Sequence, residues 1–199
     1  MEETDINLLK RARNGDRDAF AVLMDRYQRK VFGLCYGMVR NHDDAMDMVQ
    51  ETFVKVYKNL ERFEGNSSFY TWTYRIASNV CIDFLRKQKR RRALDYDDGI
   101  GRDENVDDPG NLLPSKLGIN PARVHARKEL LGRIEDAMAT LSPIHRQIVV
   151  LREVEGLSYQ EIADTTEVSI GTVMSRLHHA RKNLQNALRD YVGDALKAE

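Results

Sequence analysis

The sequence predicts an all-α protein: two small helical domains joined by an acidic flexible linker. Three observations lead there. Apolar residues recur at three- and four-residue spacing almost everywhere outside one central segment. No stretch shows the convincing period-two alternation of a strand. And 31 basic and 31 acidic side chains cancel overall but not locally. Residues 1–92 carry a net +5, residues 93–122 a net −5, and residues 123–199 are neutral.

In the first domain, 1–92, Asn14-Gly15 ends a short helix and Asp16 is placed to cap the next. Phe20, Leu23, Tyr27, Val31, Leu34 and Met38 then line one helical face. A second stripe runs Ala45, Met48/Val49, Thr52/Phe53, Val56/Tyr57 and Leu60. A third is Trp72, Ile76, Val80 and Phe84. Cys35 and Cys81 fall in these stripes and read as core. Neither has a cysteine nearby in sequence, which argues against redox sensing.

Six of the seven residues 86–92 are basic. Cations suit a helix C-terminus, but six so close repel one another, and contact with phosphates relieves that repulsion. The linker, 93–122, holds three of the four prolines, four glycines and seven acids, with no surviving period. Its simplest role is spacing. Its carboxylates could also stand in for nucleic-acid charge inside a basic channel.

In the second domain, 123–199, Leu130, Ile134, Met138 and Leu141 form one stripe, and Ile144, Ile148, Leu151 and Val154 another. Ser142-Pro143 reads as a cap followed by proline at the first helical position. Ser158-Tyr159-Gln160-Glu161 is a capping box. A short helix over about 158–165, with Ile162 and Ala163 inward, a turn at 166–168, and a longer helix from about 170 capped by Ser169 make helix-turn-helix spacing. Ile170, Val173, Leu177, Ala180 and Leu184 form the inner side of the second helix. Thr172, Ser175, Arg176, His178, His179, Arg181 and Lys182 face outward. No acid occurs from 168 to 189, which suits a helix lying between two rows of phosphates.

Leu157-Ser158-Tyr159-Gln160-Glu161-Ile162-Ala163, followed by Gly171-Thr172-Val173-Met174-Ser175-Arg176-Leu177 and Ala180-Arg181, resembles region 4 of the extracytoplasmic-function (ECF) sigma factors of the sigma-70 family. The resemblance implies that this helix enters the major groove at the promoter −35 element. It implies DNA-facing roles for Gly171, Thr172, Met174, Ser175, Arg176, His178, His179 and Arg181. Three residues depart from the family pattern. Glu167 stands in the turn where Gly is usual, at a position that asks for positive φ, costing about 1 kcal/mol. Met174 and His179 stand where Lys or Arg is usual, which weakens phosphate attraction.

The first domain is similar to region 2 of the same family. The match runs Arg40-Asn41-His42-Asp43-Asp44-Ala45-Met46-Asp47-Met48-Val49-Gln50-Glu51-Thr52-Phe53, then Phe63-Glu64-Gly65-Asn66-Ser67-Ser68-Phe69-Tyr70-Thr71-Trp72-Thr73-Tyr74-Arg75-Ile76-Ala77-Ser78-Asn79. Asp47 and Glu51 share a helix face with Gln50 nearby. The resemblance implies that Asp47, Gln50, Glu51 and Phe53 bind the coiled coil of the β′ clamp of core RNA polymerase. It assigns the loop Glu64, Gly65, Asn66, Ser67 and Ser68, with Asn79, to reading −10 bases, and Arg86 and Lys87 to promoter phosphates. Loop amides and hydroxyls can read an extracted base, while aromatics at Phe69, Trp72 and Tyr74 divide between stacking surface and core.

The resemblance implies a factor that binds core polymerase, melts the −10 element and reads the −35 element. Its implied partners are core RNA polymerase, promoter DNA and an anti-sigma factor. Melting then draws on captured bases, each offsetting a few kcal/mol of unstacking. No nucleophile–base set or phosphate-cradling glycine loop stands out, so neither catalysis nor a cofactor is expected. Adjacent His178 and His179 point about 100° apart and make a poor metal pair. The acidic N-terminus and the lack of an 18-residue apolar run predict a cytoplasmic chain without membrane insertion. Two other readings are a free-standing helix-turn-helix regulator, which leaves 64–79 unexplained, and an all-α adaptor without a DNA role.

Overall fold

The computed structural model describes residues 3–97 and 121–189, with side chains at 3–91 and 128–189. Among them every regular element is helical. α1 is Asp5–Arg13, α2 Arg17–Val39, α3 His42–Lys58 and α4 Phe69–Asp97, with a 3₁₀ turn at Leu60–Arg62. α5 is Pro121–Ala139, α6 Pro143–Val149, α7 Tyr159–Thr166 and α8 Ile170–Ala187, with a π-helical turn at Val150–Val154.

The local punctuation acts as its chemistry dictates. Asp16 Oδ1 accepts from the Asp18 and Ala19 amides at 3.0 and 3.1 Å. Ser142 Oγ accepts from His145 N, and Ser158 with Glu161 closes a reciprocal capping box. Ser169 Oγ accepts from Thr172 N at 3.2 Å. α4 continues to Asp97 and α5 starts at Pro121. The segment read as linker, 93–122, therefore begins inside one helix and ends inside another. Its acidic centre lies outside the described residues.

Two apolar clusters hold the molecule together. The first seats α1 on α2, the end of α3 and the start of α4 through Leu8, Leu9, Leu23, Val56, Leu60 and Phe69. The second does not stop at the domain boundary. Val31, Leu34 and Met38 of α2, with Tyr74 and Val80 of α4, join Ile148, Val150, Leu151, Ile162 and Leu177 of the second domain in one cluster. The two domains thus pack face to face along a seam.

Glycine permits the closest approach. A Cβ built on Gly37 would lie 2.8 Å from Val150 Cγ1. Polar groups cross the seam as well. Arg146, 9% exposed, donates through Nη1 to Met38 O at 2.8 Å and through Nε to Met138 O at 3.2 Å. Arg40, whose left-handed backbone (φ 62°) ends α2, pairs with Glu135 of α5.

Four stripe assignments are corrected. Leu130, Ile134, Val154 and Ile170 are 39%, 39%, 64% and 40% exposed. The cause at Val154 is plain. The Glu155 amide bonds Val150 O at 3.0 Å, five residues back, so the wider turn advances the buried face to Val150 and Leu151 and rotates Val154 outward. Leu130 and Ile134 sit on α5, whose packing against the rest is sparse, and Ile170 opens α8 beside the exposed turn. In α4 the inward residues are Tyr74, Ala77, Val80 and Cys81, while Trp72, Ile76 and Phe84 are only partly covered.

Candidate nucleic-acid interface

The helix-turn-helix forms as predicted, and its turn explains its own geometry. Glu167 is the residue that ends α7, in the left-handed region at φ 53°. α8 buries Val173, Leu177 and Ala180 against α6 and α7. That leaves Gly171, Met174, Ser175, His178, His179 and Arg181 exposed, with Thr172 and Arg176 half-covered. Arg181 is not a free charge: its Nη2 bonds Glu153 Oε1 at 2.6 Å, which holds its guanidinium pKa above the ordinary value.

His145 was not predicted. It stands on α6, its Nδ1 3.2 Å from Ser142 Oγ, close enough to His179 and Arg176 to feel both. Burial first, then those two positive neighbours, push its pKa down. Nothing in the sequence of α8 announces His145, because it arrives from a neighbouring helix.

The loop 64–68 turns through Gly65 at φ 81°. Asn66 Nδ2 donates to Glu64 Oε2 at 2.9 Å, and Ser68 Oγ accepts from the Thr71 amide at 3.0 Å, starting α4. Phe63, Phe69 and Trp72 pack as a ring triad with centroids 5.1–5.9 Å apart. Phe69 and Tyr74 are core, 4% and 0% exposed. Trp72 lines the neighbouring cleft together with Phe63, while Phe69 and Tyr74 do not.

That cleft, of about 660 Å³, is walled on one side by the loop with Arg62, Thr71, Trp72 and Arg75, and on the other by Asp164, Glu167 and Ser169 of the helix-turn-helix. Asn79 is exposed but lies outside the cleft, about 15 Å along α4 from Phe69 at 1.5 Å per residue. The structure therefore brings the loop residues together and leaves Asn79 apart. Arg86 and Lys87 are exposed further along the same helix. Arg62 and Arg75 join the site unpredicted.

On α3, Asp47, Gln50 and Glu51 are exposed, and Glu51 pairs with Lys55 at 2.8 Å. Phe53 is a correction: it is 5% exposed and belongs to the core, so it supports this surface from beneath. The apolar positions of the outer face are instead Met46, Val54 and Tyr57, at 42%, 51% and 45% exposure. Acids alternating with exposed apolar groups suit a basic, partly apolar helical partner. Among the described residues no group of three His, Cys, Asp or Glu is placed to hold a metal, and no helix is long and apolar enough to cross a membrane.

Comparison with known proteins matches two segments of the chain to one family. Residues 23–91 match the family model of Sigma-70 region 2, and residues 131–184 that of Sigma-70, region 4. The chain is similar to the ECF RNA polymerase sigma factor SigW of Bacillus subtilis, 35% identical over 92% of this chain and 95% of that one. It is similar to the ECF RNA polymerase sigma-E factor of Haemophilus influenzae, 38% identical over 94% and 96%. The structure resembles the sigma factor RpoE solved with the anti-sigma factor NepR from Bartonella quintana, with TM-score 0.61 and 25% identity over 85% and 96%. The fold is also that of CnrH solved with the cytosolic domain of CnrY, with TM-score 0.65 and 23% identity over 94% and 99%.

Proposed function

Because the chain belongs to the ECF sigma factors of the sigma-70 family, we propose that each step of promoter recognition falls to a surface described above. The chain is a transcription initiation factor that binds core RNA polymerase and promoter DNA, and it is not an enzyme. Its domains divide as 1–92 for region 2, 93–122 for the linker and 123–199 for region 4. Asp47, Gln50 and Glu51, with Met46, Val54 and Tyr57 between and beside them, dock on the β′ clamp coiled coil. Residues 64–68 and Asn79 read the −10 bases, Arg86 and Lys87 hold their backbone, and the outer face of α8 reads the −35 element. The chain works in the cytoplasm, where polymerase and chromosome are. An anti-sigma factor is its regulatory partner.

The observation that carries this reading is the presence on one chain, in family order, of both matched regions. The seam sets a condition on it. Elements named −10 and −35 lie about 25 base pairs, or about 85 Å of duplex, apart. The −10 loop and the helix-turn-helix turn here share one cleft. Reading both elements requires the seam to open.

The test is binding of labelled protein to purified bacterial core RNA polymerase, beside the variant Asp47→Lys/Glu51→Lys. Submicromolar binding that the double variant loses supports the reading. Absence of binding to core, with tight salt-sensitive binding of operator DNA by the protein alone, overturns it in favour of a free-standing regulator.

A further inference from the structure

We propose that Arg75 is a phosphodiester-binding group of the −10 surface, and that Glu167 of the helix-turn-helix turn occupies it in the closed chain as an internal competitor. The inference rests on the promoter-reading role of the cleft. Arg75 projects from α4 into the same cleft as Asn66, Ser67 and Ser68. A guanidinium there offers five donors in a planar fork, the geometry that suits a phosphodiester.

In the closed chain that fork is used poorly. Nη1 bonds one oxygen of Glu167 at 2.6 Å, Nη2 bonds the Asp164 carbonyl at 2.8 Å, and Nε is shut off from water without a partner. A phosphodiester carries the same single negative charge as the carboxylate and presents two free oxygens to the fork. The two ligands exclude each other. Glu167, Val168 and Ser169 sit across the cleft from the loop, where a strand entering the cleft would run.

Glu167 itself supplies the second line of argument. Its backbone is left-handed, φ 53°, where glycine is easiest. Its side chain is 65% exposed and so buries little. What the carboxylate adds that glycine cannot is the bond to Arg75. A half-exposed ion pair of this kind is weak and salt-screened, as a displaceable ligand must be.

The test uses the full chain in four forms: wild type, Glu167→Gln, Arg75→Gln and the double variant. Arg75→Lys is added as a form that keeps the charge and loses the fork. Binding to a labelled mixed-sequence single strand of about 15 nucleotides is measured by anisotropy across a salt series, a length within the usual site size. Glu167→Gln is expected to tighten binding about two- to fivefold, the worth of one exposed ion pair. Arg75→Gln is expected to weaken binding and to lower the salt slope by about 0.7, one strand phosphate. In the Arg75→Gln background, Glu167→Gln should give no gain.

Two results overturn the proposal: no gain from Glu167→Gln, or the same gain with Arg75 removed, which reports general charge only. Core polymerase binding is measured on the same five proteins. If wild type binds core and Glu167→Gln changes nothing, the competitor falls and the sigma reading stands. If wild type binds neither core nor strand, both fall.

Discussion

The Tyr74 hydroxyl donates to Glu155 Oε2 at 2.6 Å, joining α4 of the first domain to the residue that follows the π-helical turn of the second. Lys30 O is a second acceptor at 3.1 Å. Burial, with Glu155 beside it, drives the Tyr74 pKa far upward, so the phenol stays a donor. Tyr74→Phe keeps the ring and deletes the bond. It should cost about 1–3 kcal/mol, because the acceptor left behind is partly buried and charged. Urea unfolding of Tyr74→Phe, Glu155→Gln and their combination measures the coupling. A coupling of zero would show that the bond does not hold the seam.

Burial pushes the Glu155 carboxyl above its ordinary 4.5, opposed in part by Tyr74 and Lys30. A raised acid binds its proton more tightly folded than unfolded. Its contribution to stability is therefore full below about 4.5 and is lost as pH rises through the folded value. Glu155→Gln keeps an acceptor for Tyr74 without the charge. The variant should gain on wild type as pH rises from about 5 to about 7.5. Urea midpoints of both proteins across that range test this, and a constant difference contradicts it.

Gly37→Ala places a methyl 2.8 Å from Val150 Cγ1. A β-branched neighbour swings aside poorly, so the variant should lose about 1–3 kcal/mol of seam packing. Val150→Ala removes the obstruction and should recover part of that loss. Melting temperatures of the single and double variants decide the matter. Additive losses would mean that the methyl meets something else.

Arg146→Met leaves the Met38, Met138 and Ala139 carbonyls without their guanidinium donor. Removing a buried charged donor should cost about 3 kcal/mol or more. The readout is the urea midpoint at unchanged slope. A loss below about 1 kcal/mol would show that water replaces the arginine.

Arg176→Ala should weaken holoenzyme binding to −35 duplex and reduce the dependence of log K on log salt by about 0.9. The change should be similar across sequences if Arg176 touches phosphate, and confined to one base pair if it reads a base edge. A panel of duplexes titrated at several salt concentrations separates these. No change in affinity on any duplex would remove Arg176 from the interface.

The parts of this fold legible in sequence are those settled within one turn of chain. Asp16, Ser142, Ser158 and Ser169 cap as read, because a cap needs only its own next three residues. Glu167 adopts positive φ as its place in the turn requires. Val154 defeats the periodicity because a π turn changes the period itself. Phe53, expected on the polymerase-binding face, is buried in the core instead. Arg75, Arg146 and His145 escape a reading of the sequence because they meet groups on elements far along the chain. Met38 is 108 residues from Arg146. Cys35 of α2, together with burial, pushes the Cys81 thiol of α4 upward, though 46 positions separate the two in the chain.

The distance along the chain that hides these contacts also orders them in time. Arg75 precedes its cover, Glu167, by 92 residues. At 5–20 residues per second on the ribosome, that is about 5–18 s. Every new molecule therefore begins with its first domain translated and bare, before the second domain exists to lie on it. A ligand present at the ribosome meets the open form first, and closure must then compete with whatever is already bound.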